Sequence, residues 1–167
     1  YEEGGFLSSS STPANVSVEV DGALITTVSI KGKIGRHPFT QYLTLKKGDP
    51  RIDCRLIISW QGNTRIGERK ETSKMQESRK TYYDDRYKLH LLFPVLPGHK
   101  QVYKNAPFDV CESKLKNTFF NRWDSIKNNV ILNWVDLYDK QNDQAFCLFT
   151  DHTTSYLHGE DYPLGLT

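Results

Sequence analysis

Cysteine is scarce in this chain: three thiols in 167 residues, Cys54, Cys111 and Cys147, widely spaced and without a CxxC pair. That excludes a disulfide-stapled miniprotein and the zinc modules built on paired thiols. Cys54 and Cys147 sit inside apolar, strand-like runs, so they read as buried thiols in a reducing, cytoplasmic compartment. Long hydrophobic runs are missing too. With no apolar stretch near about 18 residues, no membrane partner is expected. The segment Tyr1 to Pro13 lacks the basic-then-apolar order of a signal peptide. Starting at Tyr1 without Met and stopping at Leu164-Gly165-Leu166-Thr167, the sequence reads as a piece cut from something longer. Nor does one sign of charge dominate: 22 basic and 20 acidic residues are interspersed and net to +2. No broad basic field invites nucleic acid, whereas a neutral ligand such as a sugar is compatible.

Aromatics make up 12% of the residues against a hydrophobic fraction of 37%, so large rings and β-branched side chains should dominate the core. Strand signals recur along the chain, and helical periodicity does not. Val16, Val18 and Val20, then the turn dipeptide Asp21-Gly22, then Leu24, Thr26, Val28 and Ile30 predict two strands joined tightly. A second pair follows. Phe39, Leu43 and Leu45 share one parity, Gly48-Asp49-Pro50 makes the turn, and Ile52, Cys54, Leu56, Ile58 and Trp60 share the next. The opposite parity there carries Arg51, Asp53, Arg55 and Ser59, so one face should be buried and the other polar.

From Gln61 to Lys80 the apolar signal disappears into a polar loop with six basic and three acidic side chains. Strand character resumes at Tyr87 and ends in the breaker cluster Pro94 to Gly98. Asn105 to Asn129 reads as irregular. Val130 to Tyr138 and Ala145 to Phe149 are apolar on both parities and are expected to be central strands covered on two faces, joined by a polar turn at Asp139 to Asp143. The expectation is therefore an all-β fold, an antiparallel β-sandwich with few or no helices. One domain over 15–167 follows a flexible segment at 1–14, with the polar loop at 61–80.

The densest polar cluster runs from Asp151 to Tyr162, just after a buried strand, where a sheet can hold binding groups still. Glu160 and Asp161 could accept from sugar hydroxyls, Tyr156 or Tyr162 could stack on a sugar face, and Gly159 would allow close approach. A self-satisfied polar loop is the plainer alternative. His152, His158, Glu160 and Asp161 match no zinc spacing. There is no G-x-S-x-G elbow and no phosphate-cradling loop. Trp60, Trp123 and Trp134 follow or sit in apolar runs, which favours core packing over sugar platforms.

The order of several segments carries a further reading. Gly48-Asp49-Pro50-Arg51-Ile52-Asp53 leads to Ile58-Ser59-Trp60, then Leu92-Phe93-Pro94-Val95, Asn133-Trp134-Val135-Asp136, Ala145 to Phe149, and Pro163 to Thr167. Over roughly residues 15 to 167 this resembles the C-terminal β-sandwich region, supersandwich-like, of glycoside hydrolase family 38 α-mannosidases. His152-Thr153-Thr154-Ser155-Tyr156 and His158-Gly159-Glu160-Asp161 look closest to the bacterial, mannosylglycerate hydrolase-like branch.

The resemblance implies a retaining exo-acting enzyme of mannose metabolism. Its zinc, or another divalent metal, and its nucleophilic Asp come from an N-terminal catalytic barrel of the same polypeptide. No catalytic residue, metal ligand or cofactor carries over to this segment, which is expected to be inactive alone. The mannoside substrate and possible homo-oligomers are the other implied partners. By position, His158, Gly159, Glu160, Asp161 and Tyr162 are the substrate-proximal candidates. The alternative is a freestanding carbohydrate-binding sandwich, which would need at least two aromatics with free rings on one exposed surface.

Overall fold

The computed structural model describes residues 7–62, 89–95, 101–113, 130–159 and 162–166. Contacts divide the chain into two compact units, Tyr1–Ile66 and Gly67–Thr167, where the sequence suggests a single domain over 15–167. Among the described residues, apart from a short 3-10 turn at Ser9–Ser11, every regular element is a strand, and all the strand pairings are antiparallel. The fold is all-β, as its alternation and turn residues dictate.

The first unit is a four-stranded meander in the order β1-β2-β3-β4, with β1 at Asn15–Asp21, β2 at Ile25–Ile34, β3 at His37–Lys46 and β4 at Ile52–Ile58. Both sequence-expected hairpins are present. Gly48 supplies the positive φ of 82° that the β3–β4 turn requires. Asp49 then fixes the turn, accepting from the Arg51 backbone N–H at 3.0 Å and its guanidinium at 2.8 to 3.2 Å. Gly32 lies opposite Phe39, whose ring occupies the space where a Cβ would stand, 2.8 Å away. The aromatic ring covers the backbone that glycine leaves bare.

The two faces of this sheet differ as the parity predicts, but the apolar one is not closed. Register puts Val18, Val28, Leu43 and Cys54 on one side, with Leu45 beside Ile52. Val16, Val18, Leu45 and Ile52 there are 67, 61, 46 and 58% exposed. Cys54 is exposed as well, with Sγ accepting from Gln41 Nε2 at 3.2 Å. Its expected burial fails because no second layer is formed over this face by the described residues. On the polar side Ser29 is fully buried and donates to Glu19 Oε1 at 2.6 Å, while Thr27 and Thr44 pair through their hydroxyls at 3.0 Å.

The second unit holds the sandwich. One sheet has the order β10-β9-β6-β7, with β6 at Gln101–Ala106, β7 at Asp109–Ser113, β9 at Trp134–Asp139 and β10 at Gln144–Phe149. The other has the order β5-β12-β11-β8, with β5 at Leu91–Phe93, β8 at Val130–Ile131, β11 at Thr154–Gly159 and β12 at Tyr162–Leu166. Both sheets contribute to one core: Val102, Val135, Leu137 and Leu148 from the first, Ile131, Tyr156 and Leu164 from the second. Each fully buried apolar side chain contributes roughly 1.5 to 3 kcal/mol, and the sheets stay together on that sum.

Three local expectations change. The irregular stretch from Asn105 in fact begins with the end of β6 and all of β7, a hairpin masked by Lys104 on an inward position. Strand β9 is covered on one face only, and β10 is an edge strand in which Leu148 alone is buried, leaving Cys147 exposed. Trp60 is 44% exposed, its ring set edge-on to His37 at 4.9 Å. Trp123, Tyr87 and most of the 61–80 stretch lie outside the described residues. Gln61 is described, and its backbone N–H donates to His37 Nδ1 at 3.0 Å.

Candidate functional site

Strand alternation sends Val135 and Leu137 of β9 into the core and leaves Trp134, Asp136 and Tyr138 on the outer face of the sheet. The same alternation on the neighbouring strands completes an outward surface. In the middle row, Cys147, Asp136, Tyr103 and Glu112 lie side by side across all four strands. Phe149 pairs with Trp134 on one flank, and Gln101 with Tyr138 on the other. Directly opposed Cβ atoms are about 4.5 to 5.5 Å apart, so Asp136 is framed by Tyr103 and Cys147 across the sheet and by Trp134 and Tyr138 along its own strand.

That frame sets the electrostatics. Burial among these neighbours raises the Asp136 carboxyl above its ordinary range, and its Oδ1 has no hydrogen-bond partner among the described residues. Cys147, though exposed, is desolvated on the strand side; this and the adjacent Asp136 charge push its thiol up to about 11. It is a poor nucleophile there. The rings are held. Tyr138 Oη donates to Asp143 Oδ1 at 2.9 Å, which raises the phenol, and Tyr103 Oη reaches Gln101 Oε1 at 3.4 Å. Asn105 accepts the backbone N–H of Trp134 at 3.0 Å and of Asn133 at 3.1 Å. The turn that follows β9 is closed by Asp139, whose Oδ1 accepts from Gln141 and Asn142 backbone N–H groups.

The candidates drawn from sequence lie elsewhere. His158 and Gly159 are residues of β11 and Tyr162 begins β12, so they are strand positions rather than the free loop expected. Gly159 pairs with Tyr162, which brings these ends together in the sheet β5-β12-β11-β8. His158 is half-buried, with Nδ1 fully shielded from solvent. Glu160 and Asp161 lie outside the described residues. Of the rest of the polar cluster, Asp151 and His152 are exposed and bonded to each other at 2.5 Å, which lowers the Asp151 carboxyl, while Tyr156 is a core residue.

The residues around Asp136 were hidden by their own apolarity. Trp134 and Tyr138 count as core in an apolar run, yet they alternate strictly with Val135 and Leu137, and that two-residue period is the signal of an outer face. A zinc ion has no fitting donor set here: among the described residues no three His, Cys, Asp or Glu side chains converge. No helix of the described residues is long and apolar enough to cross a membrane.

Compared with protein families, the chain matches the model for the glycosyl hydrolases family 38 C-terminal domain over residues 3–160. Neither the curated proteins nor the solved structures give a significant match.

Proposed function

Since the chain belongs to glycoside hydrolase family 38 as its C-terminal domain, we propose that it serves a parent α-mannosidase as scaffold and active-site rim, without catalysing hydrolysis itself. One observation carries this reading: the uncovered apolar face of the first sheet, with Val16, Val18, Leu45 and Ile52 between 46 and 67% exposed. A contiguous apolar face of this kind marks a surface meant for another protein layer. An N-terminal catalytic barrel of the same polypeptide is the layer the family supplies. That barrel would provide the nucleophilic carboxylate and the zinc or other divalent ion, for which the described residues here offer no donor set.

In this reading His158 and Gly159 at the end of β11 and Tyr162 at the start of β12 are the substrate-proximal candidates at the rim, together with Glu160 and Asp161, which lie outside the described residues. The parent hydrolyses α-mannosides with retention, resembles the mannosylglycerate hydrolase-like branch and works in the cytoplasm. Hydrolysis of a chromogenic α-mannoside by this chain and by the parent, each with and without added zinc, tests the division of labour. Turnover by the parent alone is expected. Turnover by this chain overturns the scaffold reading.

A further inference from the structure

Among the described residues, three four-stranded sheets leave six edge strands, β1 and β4, β10 and β7, and β5 and β8. An edge is a row of unpaired main-chain N–H and C=O groups, and folded chains blunt it with charge, a bulge or brevity. Five of these six are blunted. β1 carries Glu19 and Asp21, and its register slips between Val18 and Val20. β4 carries Asp53 and Arg55, β7 carries Asp109 and Glu112, and β5 and β8 are three and two residues long. β10 has none of these devices: it holds no charge, proline or glycine, its pairing with β9 runs in unbroken register, and every residue but Leu148 is exposed. We infer that β10 is the docking edge for a second copy of this chain. The two β10 strands pair antiparallel about a two-fold axis at Cys147, and the two β10-β9-β6-β7 sheets become one.

The main chain sets that register. Thr150 N–H donates to the Asn133 carbonyl oxygen at 2.7 Å, which extends the β10–β9 ladder by one pair. Antiparallel residues alternate between bonding a neighbouring strand and turning away from it, so Gln144, Phe146 and Leu148 also bond to β9, while Ala145, Cys147 and Phe149 aim N–H and C=O at the open side. These three are symmetric about Cys147. A two-fold pairing there sets Cys147 against Cys147 and Ala145 against Phe149 in both directions, and every outward main-chain group finds a partner.

Two side-chain features select a second copy over another extended segment. On the inner face the Phe146 ring lies 6.1 Å from the Phe93 ring, centre to centre, yet stays 38% exposed at the end of the sheet. In the two-fold pair Phe146 of each copy faces Leu148 of the other, so both cores run on across the junction. Charge is the second feature. A two-fold axis sets residues near it against their own kind, so a strand with charge at its middle repels itself. β1, β4 and β7 all carry charge, and β10 alone among the longer edges carries none.

The second unit alone supports this pairing, which stands or falls independently of the scaffold reading. The test is sedimentation velocity of the full chain from low micromolar to near-millimolar concentration. The ladder is short, so a reversible, concentration-dependent dimer is expected. Ala145→Pro removes an outward N–H and leaves the bonds to β9 in place. Cys147→Lys, at an exposed position, sets two ammonium-bearing side chains opposite each other on Cα atoms about 5.5 Å apart. Each should weaken the dimer at least tenfold, with near-UV circular dichroism confirming that the variant is folded. Val18→Lys, on the open apolar face of the first sheet, should leave the dimer unchanged. A chain that is monomeric throughout overturns the proposal and leaves the edge to a segment of another polypeptide. A dimer that survives both β10 variants overturns it too. So does a dimer that Val18→Lys dissociates and Ala145→Pro leaves intact, which assigns the association to the first sheet.

Discussion

Asn105 Oδ1 accepts two consecutive backbone N–H groups, Asn133 at 3.1 Å and Trp134 at 3.0 Å, and thereby ties the end of β6 to the start of β9. Its Nδ2 donates to Asn133 Oδ1. Asn133 is exposed and Trp134 half-buried, and removing the amide takes the side-chain acceptor away from both N–H groups. Asn105→Ala should cost about 0.5 to 1.5 kcal/mol, the net range for a hydrogen bond whose donor can turn to water. Chemical denaturation of the chain and the variant measures it. Hydrogen exchange at the Trp134 amide should quicken more than exchange at Leu137.

The Asp136 carboxyl lies among rings with Oδ1 unpartnered, and burial raises its pKa. For an acid raised in the folded state, stability is fully present below the unfolded value of about 3.9 and is lost as pH rises through the folded value. Asp136→Leu should therefore melt above the unsubstituted chain at neutral pH, and the gap should close as pH falls through the raised folded value toward about 3.9. Thermal melts at several pH values check the sign. A gap that widens in acid would contradict a desolvated carboxylate. A residue whose removal stabilises the fold is one retained for something other than folding.

Lys104 is 6% exposed on the inner face of the same sheet, its Nζ 3.4 Å from the Val130 carbonyl oxygen and 5.9 Å from the centre of the Tyr156 ring. Burial lowers its pKa. The unfolded chain then holds a proton that the folded chain releases first, so stability rises with pH between the folded value and the unfolded value near 10.4. Lys104→Met keeps the stem and removes the charge. It should raise the melting temperature at pH 7, with the advantage shrinking as pH rises through the lowered folded value toward about 10.4 and gone above it.

Much of the architecture is legible in the sequence because turn chemistry and alternation agree. Gly48-Asp49-Pro50 and Asp21-Gly22 sit where the first sheet reverses, and the polar run Asp139 to Asp143 joins β9 to β10. What escapes is informative. Lys104 breaks the apolar period of β6, so that strand and its hairpin partner β7 look irregular although Val102 and Lys104 both point inward. Cys54 has the right parity for burial, but parity fixes a face and not whether anything covers it. The site is harder still. Rings on an outer face and rings in a core are the same letters, and only the strict alternation of Trp134, Asp136 and Tyr138 with Val135 and Leu137 separates them. The polar cluster from Asp151 to Tyr162 drew attention for its composition, yet Thr154–Gly159 is a paired strand with Tyr156 in the core.

Phe108 is fully exposed at the tip of the β6–β7 hairpin and holds φ at 65°, a left-handed conformation that a side chain with a Cβ adopts at a cost of roughly 1 to 2 kcal/mol. Phe108→Gly relieves that strain, partly offset by the greater freedom glycine has when unfolded. A net gain of about 0.5 to 1 kcal/mol is expected from equilibrium denaturation.

The pair Asp49 and Arg51 gives a residue-specific titration. The guanidinium donates to both carboxylate oxygens and the Arg51 backbone N–H adds a third donor, which holds the Asp49 carboxyl down at about 2. A carboxylate lowered in the folded state contributes stability that is present above the unfolded value near 3.9 and lost as pH falls through the folded value. The Asp49 side-chain carbon resonance should therefore titrate near pH 2 in the native chain. In Arg51→Ala the side-chain donors, the larger cause, are gone while the backbone N–H remains, so the midpoint should rise part of the way toward 3.9. Because the pair lies at the surface with the Arg51 side chain 71% exposed, the melting temperature at neutral pH should barely change, which separates a turn clasp from a source of global stability. An unshifted midpoint in the variant would mean that the backbone N–H alone sets the Asp49 titration.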